Sequence, residues 1–189
     1  MGFEDGFKNE HEKKNEFLIE EIPYKGGQSP HFDQILKIRE YVNAPMNSLS
    51  EITKDNVLVS GWQVPCHCIL VKAESGELQL LHVQPNKLSH SLLTPEQNNA
   101  LNEFKTRNAS VIVVYSKKSW FGHHDKSEIE DKGIFFERGI AIDTYDRWRF
   151  LYDPSVNEVW IDIQDKKVLQ KYKGFKEKGP ELVKKAQIG

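Results

Sequence analysis

The sequence predicts a single α/β domain whose core is a mixed or largely antiparallel, sandwich-like β-sheet system flanked by helices. Short β-branched and aromatic runs recur along the chain, among them "NVLVSG", "CILVKA", "ELQLLHV", "ASVIVVY" and "EVWIDI". Two stretches carry helix start signals, and strands and helices do not alternate regularly, which argues against a doubly wound parallel sheet. A length of 189 residues at 38% hydrophobic content is enough for one compact core and too little for two large domains.

Residues 1–22 are charged and poorly periodic and read as a solvated arm, with at most a short helix toward Phe17, Leu18 and Ile19. The span 23–165 is expected to form the domain proper. In "QSPHFDQILKIREYVN", Ser29 suits an N-cap and Pro30 the first helical position. Phe32, Ile35, Leu36, Ile38 and Val42 then follow at helical spacing, so an amphipathic helix is expected to end before Pro45. "NVLVSG" is a strand, and "CILVKA" and "ELQLLHV" flank "ESG", a loop offering glycine where a hairpin needs a left-handed residue. Thr94, Pro95 and Gln97 make a capping-box pattern for a second helix carrying Leu101 and Phe104. "ASVIVVY", "GIFFERGIAI", "RWRFLYD" and "EVWIDI" complete the strands. In "RWRFLYD", Trp148, Phe150 and Tyr152 share one parity and should cover the core, leaving Arg147 and Arg149 to face water. The lysine-rich segment 166–189 reads as a solvated helix with a frayed end.

A net charge of −2 gives no reason to expect nucleic acid as a partner. No apolar run of about 18 residues offers a membrane span, and the N-terminal stretch lacks the apolar segment of a signal peptide. The two cysteines, separated by one residue, are not expected to join each other. A reduced cytosol is therefore expected, the cell's own or that of a host entered without a classical signal peptide, with the protein acting as a monomer. Neither GxGxxG nor GxxxxGK[ST] occurs, and no cofactor is expected.

Chemistry concentrates in "VPCHCILVKAESGELQLLHVQP". If Glu74, Ser75 and Gly76 form a three-residue loop with Gly76 left-handed, Ala73 pairs with Glu77 and Cys68 falls opposite His82. Directly opposed residues have Cβ atoms about 4.5–5.5 Å apart and diagonal ones about 7–8 Å, so Cys66, on the same face, is also within reach of His82. His67 points the other way. A two-residue turn at Ser75 and Gly76 would shift the parity and separate both thiols from His82. An imidazole beside a thiol can take its proton or stabilise the thiolate, giving a nucleophile for acyl chemistry.

A cysteine at the start of an aliphatic strand, a hairpin and a histidine in the returning strand resembles the cysteine glutamine deamidases, which include the cytotoxic necrotizing factor catalytic domain and the bacterial chemoreceptor deamidases. The resemblance covers residues 57 to 85. It implies that Cys66, standing before "ILV", attacks a glutamine carboxamide of a protein substrate, that His82 is the base, and that a third group orients the histidine. In the family this group is often a threonine six residues before the cysteine, or a backbone carbonyl. Ser60 stands at that distance from Cys66. The choice of Cys66 comes from the resemblance, whereas the register alone favours Cys68. The family's bacterial effectors suggest a toxin-like role in a host cytosol. Transglutamination and peptide-bond cleavage would use the same dyad.

Other readings compete. Free cysteines are commonly buried, and Ser60 suits a turn residue bonding local backbone. Cys66, His67, Cys68 and His82 are all possible zinc ligands, but their spacing lacks the CxxC knuckle of structural sites, so no metal is expected. His123 and His124 lie in an apparent loop and read first as exposed polar residues, but Trp120 and Phe121 beside them could form a substrate-contacting rim, with Trp120 and His123 as the candidate substrate-binding residues. A non-catalytic protein-binding module, with both thiols inert, is the alternative from a different class.

Overall fold

A computed structural model describes residues 17–63, 66–84, 92–119, 122–123, 126–142 and 146–177. Its strands are β1 (Leu18–Pro23), β2 (Tyr41–Asn43), β3 (Val57–Gln63), β4 (His67–Lys72), β5 (Leu78–Val83) and β6 (Ser110–Ser116). They continue with β7 (Lys118–Ser119), β8 (Gly122–His123), β9 (Arg138–Ile142), β10 (Trp148–Asp153), β11 (Glu158–Ile163) and β12 (Val168–Lys173). The helices are α1 (Pro30–Ile38), α2 (Pro95–Lys105) and α3 (Lys126–Asp131). The strands form a six-stranded sheet in the order β1-β12-β11-β10-β3-β2, a four-stranded sheet in the order β5-β4-β6-β9, and the ribbon β7-β8. Pairing is antiparallel except for β2 with β3 and β6 with β9, so both large sheets are mixed, as the irregular element order predicts.

Alternation along each strand builds four layers. Leu58, Cys68, Leu70, Leu80, Ile112, Val114, Phe150, Tyr152 and Ile161 face one another in the largest apolar cluster, between the sheets. The opposite face of the four-stranded sheet, with Ile69, Val71, Leu81 and Val113, packs on Leu101 and Phe104 of α2 and Ile129 of α3. The opposite face of the six-stranded sheet, with Val57, Val59, Leu151 and Leu169, packs on Phe32 of α1.

Both predicted helix starts form. The Ser29 hydroxyl accepts from Phe32 N at 3.4 Å. Thr94 and Gln97 make a reciprocal capping box, with Thr94 N donating to Gln97 Oε1 at 3.0 Å and Gln97 N to Thr94 Oγ1 at 3.2 Å. The first helix is shorter than its periodicity suggests, because Arg39 turns extended and Tyr41–Asn43 pair with β3. The chain also departs from the expected arm and tail: Leu18–Pro23 and Val168–Lys173 pair with each other as strands of the large sheet instead of forming helices. "GIFFERGIAI" is strand only from Arg138, while Ile134 and Phe136 fill the core from a loop.

Arg149 corrects another expectation. It does not face water but is buried under α1, where Nε and Nη2 donate to Asp162 Oδ2 at 3.0 and 2.6 Å and Nη1 donates to Asp33 Oδ1 at 2.8 Å. Parity put the arginine on the second face of its strand, and the helix covers that face. Among the described residues no helix is long and apolar enough to cross a membrane.

Candidate active site

The hairpin forms in the predicted register. Ala73 N donates to Glu77 O at 2.8 Å, Gly76 N donates to Ala73 O at 3.0 Å, and Gly76 has φ +89°, a region that costs glycine little. Cys68 is consequently the direct partner of His82. Both alternate with Leu70 and Leu80 and so look between the sheets, while His67 shares the parity of Ile69 and faces the helix layer.

Ser60 approaches the histidine from the other sheet. It lies within β3 rather than in a turn, so the reading of it as a turn residue does not hold. Its hydroxyl is 2.9 Å from His82 Nδ1, a hydrogen bond that bridges the two sheets. Ser60 Oγ also donates to the Ala44 carbonyl at 3.1 Å. Gln63 completes the group, because β3 carries a bulge there: Trp148 and Phe150 of β10 pair with Gln63 and Ser60, setting one extra residue in β3. The bulge breaks the alternation and brings Gln63 to the side of Ser60, where Nε2 donates to Ser60 Oγ at 2.6 Å and to the Gly61 carbonyl at 3.1 Å.

These contacts assign the protons. A carbonyl can only accept, so the Ser60 hydrogen goes to Ala44; an amide nitrogen can only donate, so Gln63 occupies one Ser60 lone pair. With the hydroxyl hydrogen so placed, His82 Nδ1–H donates to Ser60 Oγ. The Ala44 carbonyl, itself within hydrogen-bonding range of the imidazole, favours the same tautomer. Nε2 is left with a bare lone pair, and it has no hydrogen-bond partner among the described residues. This is the nitrogen a general base needs free.

The surroundings keep His82 and Cys68 neutral at rest. Burial pushes the His82 imidazole from its ordinary value down to about 4, only partly offset by the Ala44 carbonyl. Burial likewise pushes the Cys68 thiol well above its ordinary range, with the Ser60 hydroxyl beside it working the other way. Cys66 precedes β4, one pleat from Cys68, and is also buried. Its carbonyl accepts from Ser116 Oγ at 3.4 Å, and Ser116 Oγ in turn accepts from Trp148 Nε1 at 3.1 Å, a second link between the sheets. Cys68 and His82 are therefore both held neutral, not as a thiolate–imidazolium pair.

Cys68, His82 and Ser60 thus meet between the sheets, while Cys66 is buried two residues before Cys68. Trp120, Phe121 and His124 lie outside the described residues, and of His123 only its backbone, in β8, is described. Among the described residues no group of three or more histidine, cysteine, aspartate or glutamate side chains is placed to hold a metal ion. Sequence reasoning missed Gln63 and the Ala44 carbonyl. The signal for the first was Gly61, since a glycine inside a strand pattern marks a bulge. The second is a backbone group, which residue identity does not reveal. Compared with protein-family models and with curated proteins, the chain matches none.

Proposed function

We propose that the protein is a thiol-dependent protein glutamine deamidase with Cys66 as nucleophile, His82 as base and Ser60 as the group that orients it. The observation that carries this reading is the 2.9 Å contact from Ser60 to His82 Nδ1, which leaves Nε2, on the strand that Cys68 faces, without a partner among the described residues. Cys66 is preferred over Cys68 because the Cys68 thiol lies in the apolar cluster between the sheets and is held well above its ordinary pKa range.

In the reaction, Cys66 Sγ attacks the carboxamide carbon as its proton passes to His82 Nε2. Collapse of the tetrahedral intermediate breaks the C–N bond, and the same proton leaves on the departing ammonia. Water, deprotonated by His82, then hydrolyses the thioester and restores the thiol, so a glutamine and a water become a glutamate and ammonium. The product places a charge where the target protein had none, which disables a buried or interfacial site. The substrate is a protein, the protein acts as a monomer, and the reaction belongs in a cytosol, its own or a host's. Burial of both thiols favours a second reading, a non-catalytic binding module in which the cluster only ties the sheets together.

Wild-type protein incubated with a eukaryotic cell lysate should convert specific glutamines to glutamates, detected by peptide mass spectrometry, while Cys66→Ser and His82→Ala do not. Conversion that persists in Cys66→Ser, or none with any form, contradicts the proposal. Incorporation of an added primary amine in place of water would identify a transglutaminase instead.

A further inference from the structure

Gln63 lies beside Ser60 and His82, and its hydrogen bonds are incompletely used. It is fully buried. Nε2 is committed to Ser60 Oγ at 2.6 Å and to the Gly61 carbonyl at 3.1 Å, which fixes how the amide faces. Oε1 is left buried with no hydrogen-bond partner among the described residues. A buried acceptor without a partner is costly and calls for an explanation. His82 Nε2 is a second bare acceptor in the same cluster, and the two side chains meet at 3.4 Å between Gln63 Nε2 and His82 Nδ1. Two buried lone pairs suit a ligand rich in N–H donors.

We propose that Gln63 Oε1 reads the –NH₂ of a primary carboxamide, accepting one of its hydrogens while His82 serves the reacting nitrogen. This deepens the deamidase reading and rests on it. A carboxylate would bring oxygen lone pairs against Oε1, so the product is disfavoured where the substrate is held. A tertiary amide offers no hydrogen at all. Specificity of this kind is strong because the unmatched ligand leaves a buried polar group unpaired. Gln63 is thus a specificity residue for –NH₂, and the Ser60 contact keeps its oxygen presented.

The test needs no protein substrate. Iodoacetamide carries the –NH₂, and N,N-dimethyl-2-iodoacetamide replaces both hydrogens by methyl groups; with either, Cys66 Sγ forms a bond to carbon as iodide leaves and the thiol proton passes to His82. Alkylation of Cys66 is followed by mass spectrometry in the native full-length chain, with unfolded protein giving each reagent's intrinsic rate. The expected result is a preference for iodoacetamide about tenfold beyond the intrinsic ratio, as one well-placed hydrogen bond provides. Gln63→Met should erase that preference, while Gln63→Glu, which keeps one oxygen for the ligand and can accept from the Ser60 hydroxyl with the other, should retain it. Near-ultraviolet circular dichroism checks that both variants fold, and the wild-type comparison stands without them. Cys66 reactivity that depends on His82 but shows no preference, or a preference that both variants lose equally, overturns the role of Gln63 and leaves the deamidase reading intact. Reactivity independent of His82 removes the deamidase reading and the inference together.

Discussion

His82 owes its state to where it sits. The hairpin register turns it between the sheets, burial lowers its pKa to about 4, and the Ser60 and Ala44 oxygens fix the tautomer. The folded pKa lies below that of an exposed imidazole, so as pH falls from 6.5 toward 4 the unfolded chain takes up a proton that the native one refuses. The stability present above 6.5 is lost over that window, by about 3 kcal/mol in all. Urea unfolding at pH 7 and pH 4.5 should therefore show His82→Gln losing about 2–3 kcal/mol less than wild type on acidification. Equal losses would mean that His82 is not held neutral. The Cys68 to His82 pairing was legible because Gly76 set the loop and parity did the rest. Gln63 was not, because a bulge moves a residue between faces and the alternation read from sequence assumes that none occurs.

At the level of elements, helix α2 holds the histidine's strand in place. Beyond its capping box, Gln97 sends Nε2 to the His82 carbonyl at 2.9 Å and to the Ser48 carbonyl at 3.2 Å, while His82 N donates to Ser48 O at 3.1 Å. One buried side chain thus ties α2, β5 and the segment after β2 together. Gln97→Ala should cost about 2 kcal/mol, from half a capping box and two carbonyls left short of a donor, measured by chemical denaturation. A loss under about 0.5 kcal/mol would show that water replaces these contacts. The two longer helices were legible because caps are local: Ser29, Pro30, Thr94 and Pro95 each act within one turn. Strands β1, β2 and β12 were not, since their pairing comes from distant partners and their exposed charged residues blur the alternation. Helix α3 is short and charged and is anchored by Ile129.

At the scale of the molecule, two sheets meet face to face, and polar groups join them at one end while α1 locks the outer face of the larger sheet. Asp162, fully buried, accepts from Arg149, from Tyr24 Oη at 2.5 Å and from Ser29 N at 3.4 Å, so it joins β10, β11 and the start of α1. Asp162→Ala leaves a buried guanidinium without its closest anion and should destabilise by about 3–5 kcal/mol in urea unfolding. A cost below 1 kcal/mol would show that Asp33 and water suffice for Arg149. The layered architecture followed from the apolar runs, but the meeting of Ser60 on one sheet with His82 on the other depends on how the sheets stack, which no local pattern encodes. In the proposed reading that meeting orients the general base, and the rate of Cys66 alkylation by iodoacetamide, followed from pH 5 to pH 9 in native protein with His82→Ala alongside, tests it most directly. If His82 takes the thiol proton during attack, the wild-type rate stays nearly flat from about pH 5 to 8, being lost only as the imidazole protonates near 4, and His82→Ala climbs about tenfold per pH unit as an unassisted thiol does. If Cys66 is inert until the protein unfolds, or reacts identically with and without His82, the dyad is contradicted and the cluster serves only to bind the two sheets.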